Sequence, residues 1–149
     1  MKKISLYLLF LILLLMYPTG NADSNAEIPQ WIQQLHSVVA ESLQAEVSTS
    51  HARLPDRIAK GKTFMFCLKG HGSLEKIPDP FEAMEGIFRT NGWKYVPRYQ
   101  ADGHGSTVFA YERGDRLCEI RVNVDSACDD EETGHIPSEF WFEIYCRDK

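Results

Sequence analysis

Two identical tetrapeptides, Gly70-His71-Gly72-Ser73 and Gly103-His104-Gly105-Ser106, set a histidine between glycines with a serine two residues on. Histidine is the side chain whose ordinary pKa lies nearest neutrality. If His71 and His104 converged with Asp102, Ser73 or Ser106, they could form the acid–base or nucleophilic centre of a small hydrolase or metal-dependent enzyme. The flanks argue against a shared role. CLKGHGSLEKIPDP leads toward a capped helix and QADGHGSTVFAYER runs straight into a strand, whereas a duplicated unit keeps its hydrophobic pattern around the motif. No G-x-S-x-G nucleophile elbow occurs. Both stretches are therefore expected to be solvated turns in which glycine supplies positive φ, and no catalytic residue is assigned.

A second cluster lies in NVDSACDDEETGH, from Asn123 to His135. Asp125, Asp129, Asp130, Glu131 and Glu132 with His135 could wrap a hard cation, which takes several carboxylates from one flexible loop. The D-x-[DN]-x-[DN]-G spacing of a calcium loop is missing, so residues 125–132 read as an acidic hairpin loop, and neither a metal nor another cofactor is assigned.

The third chemistry-bearing set is the four cysteines, Cys67, Cys118, Cys128 and Cys146. No C-x-x-C pair is present, which removes a thioredoxin-like redox motif and a zinc knuckle of that spacing. An even count in an exported chain points to structural disulfides, and two are expected.

Export is read from the N-terminus. MKKISLYLLFLILLLMYPTGNADSNA has two lysines, an apolar run from Ile4 to Tyr17, and then breakers and small residues around Ala22, the pattern of a secretory signal peptide spanning residues 1–22. The run is shorter than the ~18 residues of a membrane span, and nothing later is apolar enough to cross. Residues 23–149 are then a single domain, periplasmic or secreted, with no membrane span. Removing Lys2 and Lys3 moves the formal net charge from −5 to −7, with fourteen basic against twenty-one acidic side chains left. That balance excludes nucleic acid and anionic lipid as main partners, since both require a basic surface, and it permits a basic protein partner.

The elements that must position these residues follow from periodicity. In IPQWIQQLHSVVAESLQAE, Ile28, Trp31, Ile32, Leu35, Val38, Val39 and Leu43 fall on one helical stripe, with His36 at its edge. Residues 46–62 carry no sustained period, and TFMFCLK reads as a short buried strand ended by Gly70. A second helix is expected over residues 80–90, with Asp79 as N-cap, Pro80 at the first position, Glu82 completing a capping box and Asn91-Gly92 as the stop. From Trp93 onward the period is two, giving strands near 93–99, 106–112, 116–124 and 138–146. Gly114-Asp115 signals a two-residue hairpin that sets Tyr111 opposite Cys118 and Phe109 opposite Ile120. In the last hairpin an all-apolar register places Cys118 opposite Cys146, Ile120 opposite Ile144, Val122 opposite Phe142 and Val124 opposite Phe140. An aromatic-inward choice would turn Trp93, Tyr95 and Tyr99 to the core. The expected fold is α+β, a four- or five-stranded, mainly antiparallel sheet packed against two helices, with disulfides Cys118–Cys146 and Cys67–Cys128.

That register turns Trp141 and Tyr145 outward beside Glu119, Arg121 and Glu143, with Arg121 and Glu143 facing each other as a cross-strand pair. The alternative is that residues 46–62 fold over this face and bury Trp141. Trp141, Tyr145, Arg121 and Glu143 are the expected binding residues of a non-enzymatic, inhibitor- or immunity-like module whose partner is another exported protein. The other readings are the enzyme that would use His71 and His104, and a structural envelope component with no discrete site.

Overall fold

Pro29 lacks a backbone donor and precedes a stripe of large apolar side chains, so the chain enters helix α1, Gln30–Leu43, directly after it. Trp31, Ile32, Leu35, Val39 and Leu43 are buried along one face, and Gln44 leaves the helix in the left-handed region at φ 47°. Helix α2, Pro80–Thr90, begins where Asp79 accepts a 2.9 Å hydrogen bond from the Glu82 backbone N–H. It ends at Asn91, with Gly92 at φ +75° letting the Trp93 N–H reach the Phe88 carbonyl at 3.0 Å. Helix α2 thus starts and stops where its cap and its Asn91-Gly92 stop dictate, whereas α1 has no side-chain cap.

The computed structural model describes residues 27–52, 65–103, 105–124 and 138–149, with the side chains of Ala52, Met65 and Tyr99 excepted. Residues 1–22, read as a signal peptide, His104, Cys128, His135 and residues 125–132, read as an acidic loop, lie outside the described residues.

The strands are β1 Glu46–Ala52, β2 Met65–Ser73, β3 Lys94–Tyr95, β4 Ala101–Gly103, β5 Ser106–Arg113, β6 Arg116–Val124 and β7 Glu139–Asp148. They form one antiparallel sheet in the order β1-β2-β7-β6-β5-β3, with β4 also paired to β5. Seven strands exceed the four or five expected, for two physical reasons. The stretch EVSTSHA has no apolar alternation because β1 is an edge strand, yet its β-branched Val47 and Thr49 suit a pleated surface. The segment after Trp93 is interrupted at Pro97, which has no N–H for a ladder, so a 3-10 turn over Pro97–Tyr99 separates two short strands on the same partner.

The hairpin registers match expectation. Tyr111 faces Cys118, Phe109 faces Ile120 and Thr107 faces Val122. Gly114 at φ +61° with no positive φ at Asp115 fits the II′ turn. On the other side of β6, Cys118, Ile120, Val122 and Val124 face Cys146, Ile144, Phe142 and Phe140. One of the two expected disulfides is present: Cys118–Cys146 joins neighbouring strands with Cα atoms 4.2 Å apart and closes a sequence separation of 28. A loop of that length contributes about 3–4 kcal/mol in the chain-entropy picture. Cys67 is a free, buried thiol, so the second expected bridge is not formed. It lies mid-strand in β2, opposite both Ser50 and Tyr145.

A single cluster contains the buried stripe of α1, Met84, Ile87 and Phe88 of α2, and the inward residues of β2, β5, β6 and β7, so both helices cover the same sheet face. Aromatic contacts seal one end: Phe88 stacks on Tyr111 at 5.1 Å, Trp93 lies 5.4 Å from Phe88 and 6.3 Å from Trp31. Trp93 faces inward as expected, but Tyr95 is 40% exposed because β3 forms the sheet edge there. The Tyr99 side chain is not described.

Gly70 and Gly72 are not turn residues. They continue β2 through the first GHGS stretch, opposite Phe142 and Phe140. A Cβ on Gly70 would lie 2.5 Å from the Phe142 ring and 2.5 Å from the Glu46 carbonyl, and one on Gly72 would lie 2.4 Å from the Phe140 ring. The glycines are the space that two fully buried rings occupy. The second stretch is the turn expected of it, with Gly103 paired to Ser106 and Gly105 at φ +65°. Gly72→Ala should therefore cost about 1–3 kcal/mol through overpacking, read as a lower urea midpoint at unchanged slope. Combining it with Phe140→Leu should recover part of that loss; strictly additive losses would show that the close approach is not the cause.

Candidate functional site

Strand alternation that sends Phe140, Phe142 and Ile144 inward sends Glu139, Trp141, Glu143 and Tyr145 to the face without helices. Across β7 from them stand Ser73, His71, Lys69 and Cys67 of β2 on one side, and Asn123, Arg121 and Glu119 of β6 on the other. The outer face is not uniform. Around Cys67, Ala110, Leu117 and Glu119 it is buried, whereas Trp141 is 42% exposed, with exposed Glu46, Ser48, Lys69 and His71 alongside. Residues 46–52, which could have folded over Trp141, form the edge strand β1 instead. Residues 53–62, the rest of that segment, lie outside the described residues.

The four expected binding residues come together here, with a different pairing. Arg121 and Glu143 face each other in register, but the ion pairs run elsewhere. Arg121 donates from Nη2 and Nε to Glu119 Oε1 at 2.8 and 3.2 Å, while Lys69 Nζ lies 2.7 Å from Glu143 Oε1. Tyr145 Oη donates to Glu143 Oε2 at 2.8 Å, and the Arg121 guanidinium stands 5.5 Å from the Tyr145 ring centroid. Lys69 was not among the expected residues, because reading TFMFCLK as a strand ended by Gly70 gave no register against β7.

Desolvation alone would raise the Glu143 carboxyl, but hydrogen bonds from Lys69 and Tyr145 outweigh it and hold Glu143 below the ordinary carboxylate value. Burial, then the bond to Glu143, pushes the Tyr145 phenol well above its usual range, so it stays a donor. Hydrogen bonds to Glu143 and Glu119 raise Lys69 and Arg121 respectively. Each cation is thus matched to a carboxylate. The solvent-exposed Lys69–Glu143 pair is worth about 0–1 kcal/mol, whereas the Arg121–Glu119 pair compensates a buried carboxylate, and together they fix side-chain positions around the indole.

A cleft of about 410 Å³ opens beside Trp141, lined by Glu46, Val47, Ser48, Lys69, Gly70, His71 and Trp141. His36, read as a boundary residue, bonds through Nε2 to the Val47 carbonyl at 3.0 Å and ties α1 to this edge. His71 lies in the cleft between Glu46 and Trp141. It does not meet the second GHGS stretch: Ser106 is three strands away and Gly103 four, about 14 and 19 Å at ordinary strand spacing. Asp102 is exposed and accepts from Gln100 Nε2 at 3.1 Å. His71 is therefore not brought to Asp102 or Ser106, while His104, the other histidine of the expected centre, lies outside the described residues. Among the described residues no group of three or more His, Cys, Asp or Glu could hold a metal ion.

Two outcomes are expected. Burial lifts the Cys67 thiol to about 11, so it should not react with a disulfide reagent at pH 8 in the native protein and should react fully after unfolding. Peptide mapping after alkylation of the unfolded, unreduced chain should find Cys67 alkylated and Cys118 linked to Cys146. The second concerns Glu143. Its folded value lies below its unfolded one, so its stabilising contribution is complete above the unfolded value and is lost as pH falls through the folded one. Thermal melts between pH 2 and 6 should show Glu143→Gln with a shallower acid dependence, by less than about 1 kcal/mol because solvent screens Lys69. An identical profile would remove Glu143 from that titration.

No protein-family model matches this chain, and no curated protein and no solved structure is significantly similar to it. What this face does must follow from its own geometry.

Proposed function

We propose that the chain is an exported, non-enzymatic domain that captures another exported protein on the open half of its sheet, in the manner of an inhibitor or immunity protein. The observation that carries this reading is Trp141, 42% exposed beside a cleft and flanked by side chains held in a hydrogen-bonded network. An exposed tryptophan on a rigid strand presents a large amphipathic surface at little conformational cost, which is what interface hot spots use. The Cys118–Cys146 disulfide supports an oxidising compartment. Among the described residues no helix is long and apolar enough to cross a membrane. His71 and Ser106 stand three strands apart, which does not favour the hydrolase alternative, whose second histidine, His104, lies outside the described residues. A purely structural envelope role would leave the Trp141 cleft without a defined occupant.

The test is capture from an extracytoplasmic fraction by the purified mature protein, followed by native mass spectrometry of the complex. A complex of fixed stoichiometry is expected, weakened about thirtyfold or more by Trp141→Ala, corresponding to ~2 kcal/mol for a hot-spot residue, while the urea midpoint stays unchanged. A complex equally tight with Trp141→Ala and Tyr145→Ala would place the interface elsewhere. Finding no stoichiometric complex at all would overturn the binding reading.

A further inference from the structure

We infer that the cleft beside Trp141 receives the cationic side chain of an arginine or lysine displayed by the partner, which makes that partner a basic protein; the inference rests on the binding reading above. Three observations converge on a cation. First, the two buried tryptophans each carry an arginine: the Arg113 guanidinium is 4.8 Å from the Trp93 centroid and the Arg116 guanidinium 4.8 Å from that of Trp31. Trp141 has no such cation among the described residues, although its indole is the exposed one. An indole face attracts a cation through its quadrupole, and a guanidinium can stack on it as well.

Second, among the described residues the charge left uncompensated around the cleft is negative. Lys69 is engaged by Glu143 at 2.7 Å and Arg121 by Glu119 at 2.8 Å. Glu46, on the far rim, and Glu139, two residues before Trp141 on the same face, are both exposed and have no ion partner among the described residues. Two interstrand spacings, about 10 Å, separate the Glu46 and Trp141 positions, with His71 between them. A long cationic side chain laid over His71 could thus meet the indole on one side and the Glu46 carboxylate on the other. Third, the whole chain is acidic, at −5 including the leader's two lysines, so its long-range field draws in a basic partner before any contact forms.

The experiment uses the intact mature protein, labelled with nitrogen-15, and follows the indole N–H signals of its three tryptophans. The probes are acetyl-Gly-Arg-Gly-amide, the same peptide with neutral citrulline in place of arginine, and a chito-oligosaccharide. The arginine peptide should shift the Trp141 signal saturably, with Kd on the order of 1 mM, while the buried Trp31 and Trp93 signals stay fixed as internal controls. Affinity should fall as salt is raised. The Glu46→Gln, Glu139→Gln double variant, both changes being on exposed residues that leave the core intact, should bind about tenfold more weakly.

Equal responses to the arginine and citrulline peptides, or no saturable response, would overturn the inference. A chito-oligosaccharide that saturates Trp141 where the arginine peptide does not would overturn it in favour of a sugar site. The two failures are distinguishable. If the peptide fails but Trp141→Ala still weakens the captured complex, the cation is wrong and the binding surface stands. If the peptide saturates Trp141 and no exported partner is captured, the cation site stands and the protein-capture reading falls.

Discussion

The structure depends on one close approach: the rings of Phe140 and Phe142 lie over Gly72 and Gly70 where β7 pairs with β2. Strand β7 is central, with β2 on one side and β6 on the other, so this contact joins the N-terminal half of the fold to the C-terminal hairpins. Burying two phenylalanines fully contributes several kcal/mol, at about 1.5–3 kcal/mol each, but only if no other atom claims the same volume. Glycine is the residue that leaves that volume empty. The Cys118–Cys146 bridge then ties β7 to β6 on the same inward face, so the middle of the sheet is fixed by packing on one side and covalently on the other.

The period of two carries that constraint across the sheet. Because Phe140 and Phe142 must face the helices, Trp141 must face away from them, and His71 between the two glycines must stand beside it. A core requirement therefore sets the composition of the outer face. The GHGS tetrapeptide looks like a catalytic fragment or a turn in isolation, but at positions 70–73 it is the imprint of two aromatic rings, with its histidine delivered to the opposite surface as a consequence.

Legibility in the sequence followed how much of each signal was local. Helix α2 was readable to the residue because Asp79, Pro80 and Asn91-Gly92 act on the backbone beside them. The β5–β6–β7 registers were readable because a two-residue turn and an unbroken apolar alternation each leave one solution, and the same register exposed the disulfide pair. What was missed depended on partners distant in sequence. The glycines of β2 make sense only against Phe140 and Phe142, some seventy residues on, and β1 has no apolar face of its own to announce it. Cysteine parity was likewise a weak guide: a count of four suggested two bridges, yet Cys67 lies on the opposite face from Cys118 and Cys146 and is buried as a thiol.

The same distance effect rearranged the charges of the candidate site, and the rearrangement matters for what the surface can bind. With only β6 and β7 in view, Arg121 and Glu143 are natural partners. Adding β2 brings Lys69 to Glu143, and Arg121 turns along its own strand to Glu119, whose side chain is only 10% exposed and would be costly to leave unpaired. Two short-range pairs replace one, so the cations near Trp141 are held and compensated before any ligand arrives. Tyr145, kept protonated by burial and by its bond to Glu143, donates to that carboxylate from two residues along β7. A side chain arriving at the indole then meets charges already positioned, and the carboxylates of this face that have no cation among the described residues, Glu46 and Glu139, lie at the margins of the exposed half. Preorganisation of this kind lowers the entropic cost of ordering the surface on binding, so a small strand-borne patch can act as a recognition site without a deep pocket.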